Sequence, residues 1–166
     1  MAMARESRLS RGRPRESLDG PGARGFALRL LSRRDYASGE LRERLKRRGV
    51  SDDVAGSVIA ELTEERMLDD ERFAHNFVSY RAARGEGPVR IKAELQALGL
   101  PGELIEGAVA GGADWRLLAR DVRTRKFGPG TPESWPEKAR QARFLQYRGV
   151  SIDHIRSALD ADFDLD

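Results

Sequence analysis

One seven-residue pattern occurs three times in the chain, at intervals of 50 residues, as LKRRGVS at 45–51, LQALGLP at 95–101 and LQYRGVS at 145–151. Each copy has a leucine, a glycine four residues later, then an aliphatic residue and a residue that suits the start of a helix. A fixed interval of this length is typical of tandem repeats, in which each unit is one small supersecondary structure. The sequence therefore predicts three copies of one unit.

Apolar residues recur at helical spacing three times in each copy. In the first copy, Leu41 and Leu45 form the middle stripe, and Val58 belongs to the third. A spacing of three and four residues places such side chains on one face of a helix. The repeated glycine is expected to end each middle helix, because the left-handed conformation suits glycine. We therefore predict an all-α fold of three tandem three-helix repeats of about fifty residues, in an elongated, curved array.

The predicted organisation has four parts. Residues 1–25 contain six arginines against three acidic residues, with glycine, proline and serine, and are expected to form a disordered basic tail. The repeats are expected at 26–68, 69–112 and 113–166. A unit of this size buries too little apolar surface to be stable alone, so the three should lean on one another. The third unit departs from the pattern at Gln141 and His154, where the others have aliphatic residues.

The composition argues against several functional classes. The chain has no cysteine, so disulfides and thiolate metal sites are excluded. It has no apolar run long enough to cross a bilayer and no secretory signal, so a cytoplasmic protein without membrane contact is expected. The histidines, His75 and His154, lie far apart on predicted helices, and the acidic run at 69–71 is best interpreted as a helix cap. We therefore predict no enzymatic activity, catalytic residue, metal or cofactor.

Net charge alternates in sign from segment to segment along the chain, and residues 26–166 together have a net charge of zero. Residues 26–48 carry a net charge of +5, residues 49–72 carry −6, and residues 115–148 carry +6. A helix-turn-helix interpretation would place the third helix of a unit in the DNA major groove. The first turns of those helices carry Asp52, Asp53, Glu103 and Asp153, which phosphate repels. The pattern therefore argues against a sequence-specific repressor.

Basic side chains concentrate on the middle helices and beside the second glycine-rich turn. They are either a solvated helix surface or an extended positive edge that contacts a long acidic partner. The candidate contact residues are Arg42, Arg44, Arg47, Arg81, Arg84, Arg90, Lys92, Arg140, Arg143 and Arg148.

The stretch LDDERFA at 68–74, followed by Phe77, Arg81 and a Gly-Pro at 87–88, resembles the hallmark run of the RecX family of bacterial regulatory proteins. The similarity extends over about residues 26–160. Ala37 stands where that family usually has a serine before the second helix, and Ser38 is expected to take over the cap. Val150 stands where phenylalanine is common.

This resemblance implies an elongated protein of three tandem three-helix units without chemistry of its own. It implies binding to the RecA recombinase and its DNA filament, with inhibition of ATPase, recombinase and coprotease activities and effects on DNA repair, recombination and the SOS response. A monomer is expected, with at most weak, nonspecific affinity for single- or double-stranded DNA. Two alternatives remain open: a general nucleic-acid-binding helical-repeat protein that acts directly on DNA, and a passive helical scaffold for another protein.

Overall fold

A computed structural model of the chain describes residues 18–160. Within that range the chain forms nine helices and no strand, which confirms the predicted all-α class. Unit 1 comprises α1 (Gly20–Leu31), α2 (Ser38–Arg47) and α3 (Asp52–Glu64). Unit 2 comprises α4 (Asp70–Ala83), α5 (Pro88–Ala97) and α6 (Gly102–Ala110). Unit 3 comprises α7 (Trp115–Phe127), α8 (Trp135–Tyr147) and α9 (Ile152–Leu159).

The first helix begins earlier than predicted. The Asp19 carboxylate accepts a hydrogen bond from the amide of Gly22 at 2.9 Å, and Pro21 lies in the first turn. Both features favour a helix start, so α1 begins at Gly20 and not at the predicted residue 26. Asp69 caps α4 in the same way, one repeat interval of 50 residues after Asp19. The rest of the predicted tail, residues 1–17, lies outside the described residues.

The repeated glycines end the middle helices as predicted. Gly49, Gly99 and Gly149 have φ angles of 97°, 84° and 79°. After each glycine, the next amide donates back to the leucine carbonyl of the motif, as from Val50 to Leu45 at 3.1 Å. This is the Schellman arrangement, which satisfies carbonyls at a helix end. The aliphatic residue that follows each glycine is buried.

Each unit has a hydrophobic core of its own. Leu41, Leu45 and Leu62 are fully buried in the first core; Ile91 and Leu95 are fully buried in the second. Leu145, Ile155 and Leu159 fill the third. All the extensive helix–helix contacts within residues 18–160 lie inside a unit. The units are therefore arranged in series around separate cores, whereas the curvature of the array stays a prediction.

Unit 1 contacts unit 2 through the start of α2. A Cβ atom at Gly39 would lie 2.7 Å from the Leu98 carbonyl oxygen, and Ala37 is fully buried in the core of unit 2. The amide and hydroxyl of Ser38 donate to the Asp70 carboxylate at 2.7 and 2.5 Å. The expectation that Ser38 caps α2 is therefore wrong. Ala37 occupies the cap position, and the Asp70 carboxylate of the next unit accepts a hydrogen bond from the Ser38 amide.

Unit 2 contacts unit 3 through backbone groups. The Gly87 amide donates to the Arg148 carbonyl at 2.7 Å, and the Val89 amide donates to the Gly149 carbonyl at 2.9 Å. A Cβ atom at Gly87 would lie only 2.3 Å from the Gly149 oxygen. The absence of a side chain at Gly87 therefore allows the two turns to touch. Backbone carbonyls of unit 3 accept hydrogen bonds from the amides at the start of α5.

Gln141 and His154, the two residues of unit 3 that depart from the repeat pattern, both make polar contacts. Arg123 is 5% exposed and donates to Gln141 Oε1 at 3.4 Å and to the Gly130 carbonyl at 2.7 Å. Gln141 is thus polar because its neighbour is a buried guanidinium that needs acceptors. His154 Nδ1 lies 2.7 Å from the Ser151 hydroxyl. A hydrophobic residue at either position would lack these contacts.

Candidate polyanion-binding surface

The basic α2 and the acidic α3 neutralise each other in part. The Arg42 guanidinium lies 2.8 Å from the Asp52 carboxylate, and Lys46 lies 3.7 Å from it. The hydrogen bond from Arg42 lowers the pKa of Asp52 below its ordinary value, with a further electrostatic contribution from Lys46. Of the predicted contact residues on α2, Arg42 is therefore already paired within its own unit.

The predicted contact residues of unit 2 also form ion pairs. Arg81 contacts Glu86 at 3.0 Å and Glu94 at 2.5 Å, and Arg90 contacts Glu94 at 3.1 Å. The hydrogen bond to Glu94 raises the pKa of Arg90 above its ordinary value. Because Glu86 is only 8% exposed, Arg81 supplies the charge that a buried carboxylate requires. Lys92 pairs with Glu106 at 2.6 Å.

Arg44 and Arg47 lie in a cleft of about 400 Å³ between units 1 and 2. Both are exposed, and neither forms a salt bridge within residues 18–160. Glu40 and Glu43 line the same cleft. Glu40 forms a salt bridge with Arg34, which does not line the cleft. This cleft is therefore of mixed charge.

A more uniformly positive cleft of about 240 Å³ lies between units 2 and 3. Arg84, Arg125, Lys126 and Arg148 line it together with Gly85, Val122 and Phe144. None of the four cations forms a salt bridge with another described residue, and no carboxylate lines the cleft. We call this feature the junction cleft. It contains two predicted contact residues, Arg84 and Arg148, which the fold brings together across 64 positions of sequence.

Sequence reasoning missed the other two cations of the junction cleft. Arg125 and Lys126 belong to the last turn of α7, whereas the prediction considered mainly the middle helices. The net charge of +6 over residues 115–148 includes both Arg125 and Lys126, and this charge was the signal that could have indicated them. The remaining predicted residues of unit 3 lie on α8: Arg140 pairs with Glu137 at 2.8 Å, and Arg143 is exposed with no salt bridge among the described residues.

Cations and aromatic rings form a continuous series of contacts across the boundary between units 2 and 3. Arg148 lies over the Phe144 ring, 5.6 Å from its centroid, and donates to the Arg84 carbonyl at 3.2 Å. Arg84 lies over the Tyr80 ring at 5.6 Å. Phe144 meets Phe127 edge to face at 5.3 Å, and Arg140 lies 5.2 Å from the Phe127 centroid. We call this series the junction ladder; its members are Tyr80, Arg84, Arg148, Phe144, Phe127 and Arg140.

The fold and this surface define a tandem helical-repeat protein with a cationic cleft between its second and third units. None of the described helices is long and apolar enough to span a membrane. Three family models match the chain in order, namely the RecX first three-helix domain at residues 23–62, the second at 69–109 and the third at 118–159. The chain belongs to the RecX family.

Two relatives support this assignment, and one solved structure has a similar fold. A protein named Regulatory protein RecX from Halorhodospira halophila is 44% identical over 139 residues, which cover 83% of this chain and 86% of the relative. One of the same name from Pseudomonas fluorescens is 42% identical, covering 82% and 88%. The crystal structure of RecX from Lactobacillus salivarius matches the fold with a TM-score of 0.73 at 19% identity, covering 85% of this chain and 96% of the other.

Proposed function

We propose that this chain binds the RecA recombinase, chiefly as its filament on DNA, and inhibits its ATPase, recombinase and coprotease activities. On this proposal the protein is a cytoplasmic regulator of DNA repair, recombination and the SOS response, and it performs no chemistry of its own. The observation that carries the proposal is the ordered match of all three family domains, together with relatives that are named as regulatory proteins.

The distribution of charge supports a polymeric partner. Cations that form no salt bridge with another residue of 18–160 line two successive boundaries, with Arg44 and Arg47 at the first and Arg84 and Arg148 at the second. A surface that repeats from unit to unit suits a partner whose own acidic groups repeat. The predicted residues Arg81, Arg90 and Lys92 serve mainly as intramolecular partners, so the proposal gives them a supporting role.

The test is a RecA ATPase assay with single-stranded DNA, in which the purified full chain is titrated against RecA. We expect ATP hydrolysis to fall at or below equimolar protein. The variant Arg44→Glu/Arg47→Glu should require more protein for the same inhibition, because it reverses two exposed charges of the first cleft. Arg33→Glu/Arg66→Glu makes the same change of charge at exposed positions outside both clefts and serves as the matched control. An unchanged ATPase rate at every ratio of wild-type protein to RecA would refute the proposal.

A further inference from the structure

We propose that the junction cleft and the junction ladder form a composite binding site for single-stranded nucleic acid, which exists only while units 2 and 3 are docked. The proposal goes beyond binding to RecA, and its test contains no RecA, so either proposal can fail without the other.

The charges of the junction cleft favour a polyanion. Four cations from two units line it, and each of them lacks a salt bridge within the part of the chain that the structure describes. Two carboxylates, those of Asp114 and Asp121, line an adjoining cleft that shares Arg125, and Asp114 is occupied as the cap of α7. A phosphate backbone would therefore gain favourable contacts without displacing an existing ion pair.

The aromatic rings favour a single strand over a duplex or an acidic protein. Tyr80 is 61% exposed beside Arg84, so a base has access to an aromatic surface next to the cations. A positive groove with adjacent aromatic rings is the usual arrangement for single-stranded nucleic acid, because bases stack on rings while cations contact phosphates. In a duplex the bases are already stacked, and an acidic side chain has no aromatic ring to stack on Tyr80.

The cations are held in place before a ligand arrives. Arg148 lies over Phe144, and its guanidinium donates to the Arg84 carbonyl. The Arg84 guanidinium lies over Tyr80 and donates to the phenolic oxygen at 3.3 Å. Because these side chains are already ordered, less conformational entropy is lost on binding than with free arginines.

The site depends on the contact between units 2 and 3. Tyr80, Arg84 and Gly85 belong to the end of α4 and the turn after it, whereas the other members come from α7, α8 and the α8 cap. Gly87 permits the contact, because a Cβ atom there would lie 2.3 Å from the Gly149 oxygen. Separation of the units would therefore divide the site without removing a single cation. By linkage, a bound strand should stabilise the docked arrangement.

The first test measures fluorescence anisotropy of a labelled oligothymidylate of about 20 nucleotides with the full chain at low salt. We expect Arg125→Glu/Lys126→Glu to weaken binding by about tenfold or more, because two phosphate contacts become repulsive. Arg33→Glu/Arg66→Glu, with the same change of charge, should bind like the wild type. Equal losses in both variants, or no loss in the first, would overturn the site. Equal affinity for a duplex, or equal competition by polyglutamate of matched charge, would also overturn it.

The second test concerns docking. Gly87→Ala should weaken oligonucleotide binding although every cation remains, whereas Gly39→Ala disturbs the other boundary and should leave it intact. Far-ultraviolet circular dichroism verifies folding of both variants. Independently, the oligonucleotide should slow hydrogen exchange at the amides of Gly87 and Val89, which donate across the boundary. Unchanged exchange at these amides, or normal binding by folded Gly87→Ala, would contradict the dependence on docking.

Discussion

At the scale of the residue, Gln141 illustrates how one buried charge changes its neighbours. The position is occupied by Leu41 and Ile91 in the other units, and both of these side chains are fully buried. In unit 3 the buried Arg123 donates to Gln141, and the Gln141 amide in turn donates to Glu137 Oε1 at 2.9 Å. The side chain therefore links an interior cation to a carboxylate at the surface.

We predict that Gln141→Leu destabilises the protein, although it restores the aliphatic character of the repeat. The loss leaves the Arg123 guanidinium with one acceptor fewer in a buried position, which costs roughly 1–3 kcal/mol in the free energy of unfolding. Urea unfolding followed by circular dichroism measures the effect. Gln146→Leu on the exposed side of α8 is the control and should change stability by less than about 0.5 kcal/mol. A Gln141→Leu variant at least as stable as the wild type would disprove this role of Gln141.

The same variant should alter the titration of Glu137. Hydrogen bonds from Gln141 and Arg140 lower the pKa of Glu137 below its ordinary value. A lowered folded-state pKa contributes stability that is present above the ordinary pKa and is lost as pH falls through the folded value. Gln141→Leu should therefore raise the pKa of Glu137 toward its ordinary value, as measured by carboxyl NMR titration. Gln146→Leu should leave it unchanged.

At the scale of the element, the three repeated glycines have the same conformation but different surroundings. Each ends a middle helix with a positive φ angle. A Cβ atom at Gly49 would meet nothing within 4 Å, whereas one at Gly149 would lie 2.3 Å from Arg90 Cβ. Gly149 thus ends a helix and also lies against α5 of the neighbouring unit. Among the described residues, Gly49 only ends a helix.

We predict that Gly149→Ala is more destabilising than Gly49→Ala. In both variants the left-handed conformation lowers the free energy of unfolding by about 1–2 kcal/mol. Only Gly149→Ala also forces α5 away from unit 3. The comparison of unfolding free energies isolates the docking contribution, because the conformational penalty is common to both. Equal losses of stability would show that the contact between Gly149 and Arg90 contributes nothing.

At the scale of the whole molecule, three cores in series imply a shape longer than that of a compact globule. Among residues 18–160, the units contact one another mainly through the turns and helix starts at each boundary. Such arrays are stabilised by each unit and by its contacts with immediate neighbours. The contacts at the boundaries between units therefore determine both the shape of the molecule and the junction cleft.

We predict a radius of gyration clearly above about 15 Å, the value for a compact globule of 166 residues. Small-angle X-ray scattering of the full chain measures it, and the distance distribution should have the extended tail of a rod. A symmetric distribution with a radius near the compact value would contradict the serial arrangement.

The sequence by itself determined the units and their helices. The interval between glycines, the apolar stripes and the turn at Gly149 were all predictable, because helix periodicity and the left-handed preference of glycine depend on near neighbours along the chain. The start of α1 was missed, although Asp19 stands one repeat interval before Asp69 and carries the same capping signal.

Only the tertiary structure decided which charges are available to a partner. Arg81 is neutralised by Glu94 on another helix, while Arg84, three residues later, faces Arg148 across a unit boundary. Nothing in their local sequence distinguishes these two arginines. The difference arises because ion pairing depends on distance in space. Packing within unit 2 places Arg81 beside Glu94, whereas the contact between Gly87 and Gly149 brings Arg84 beside unit 3.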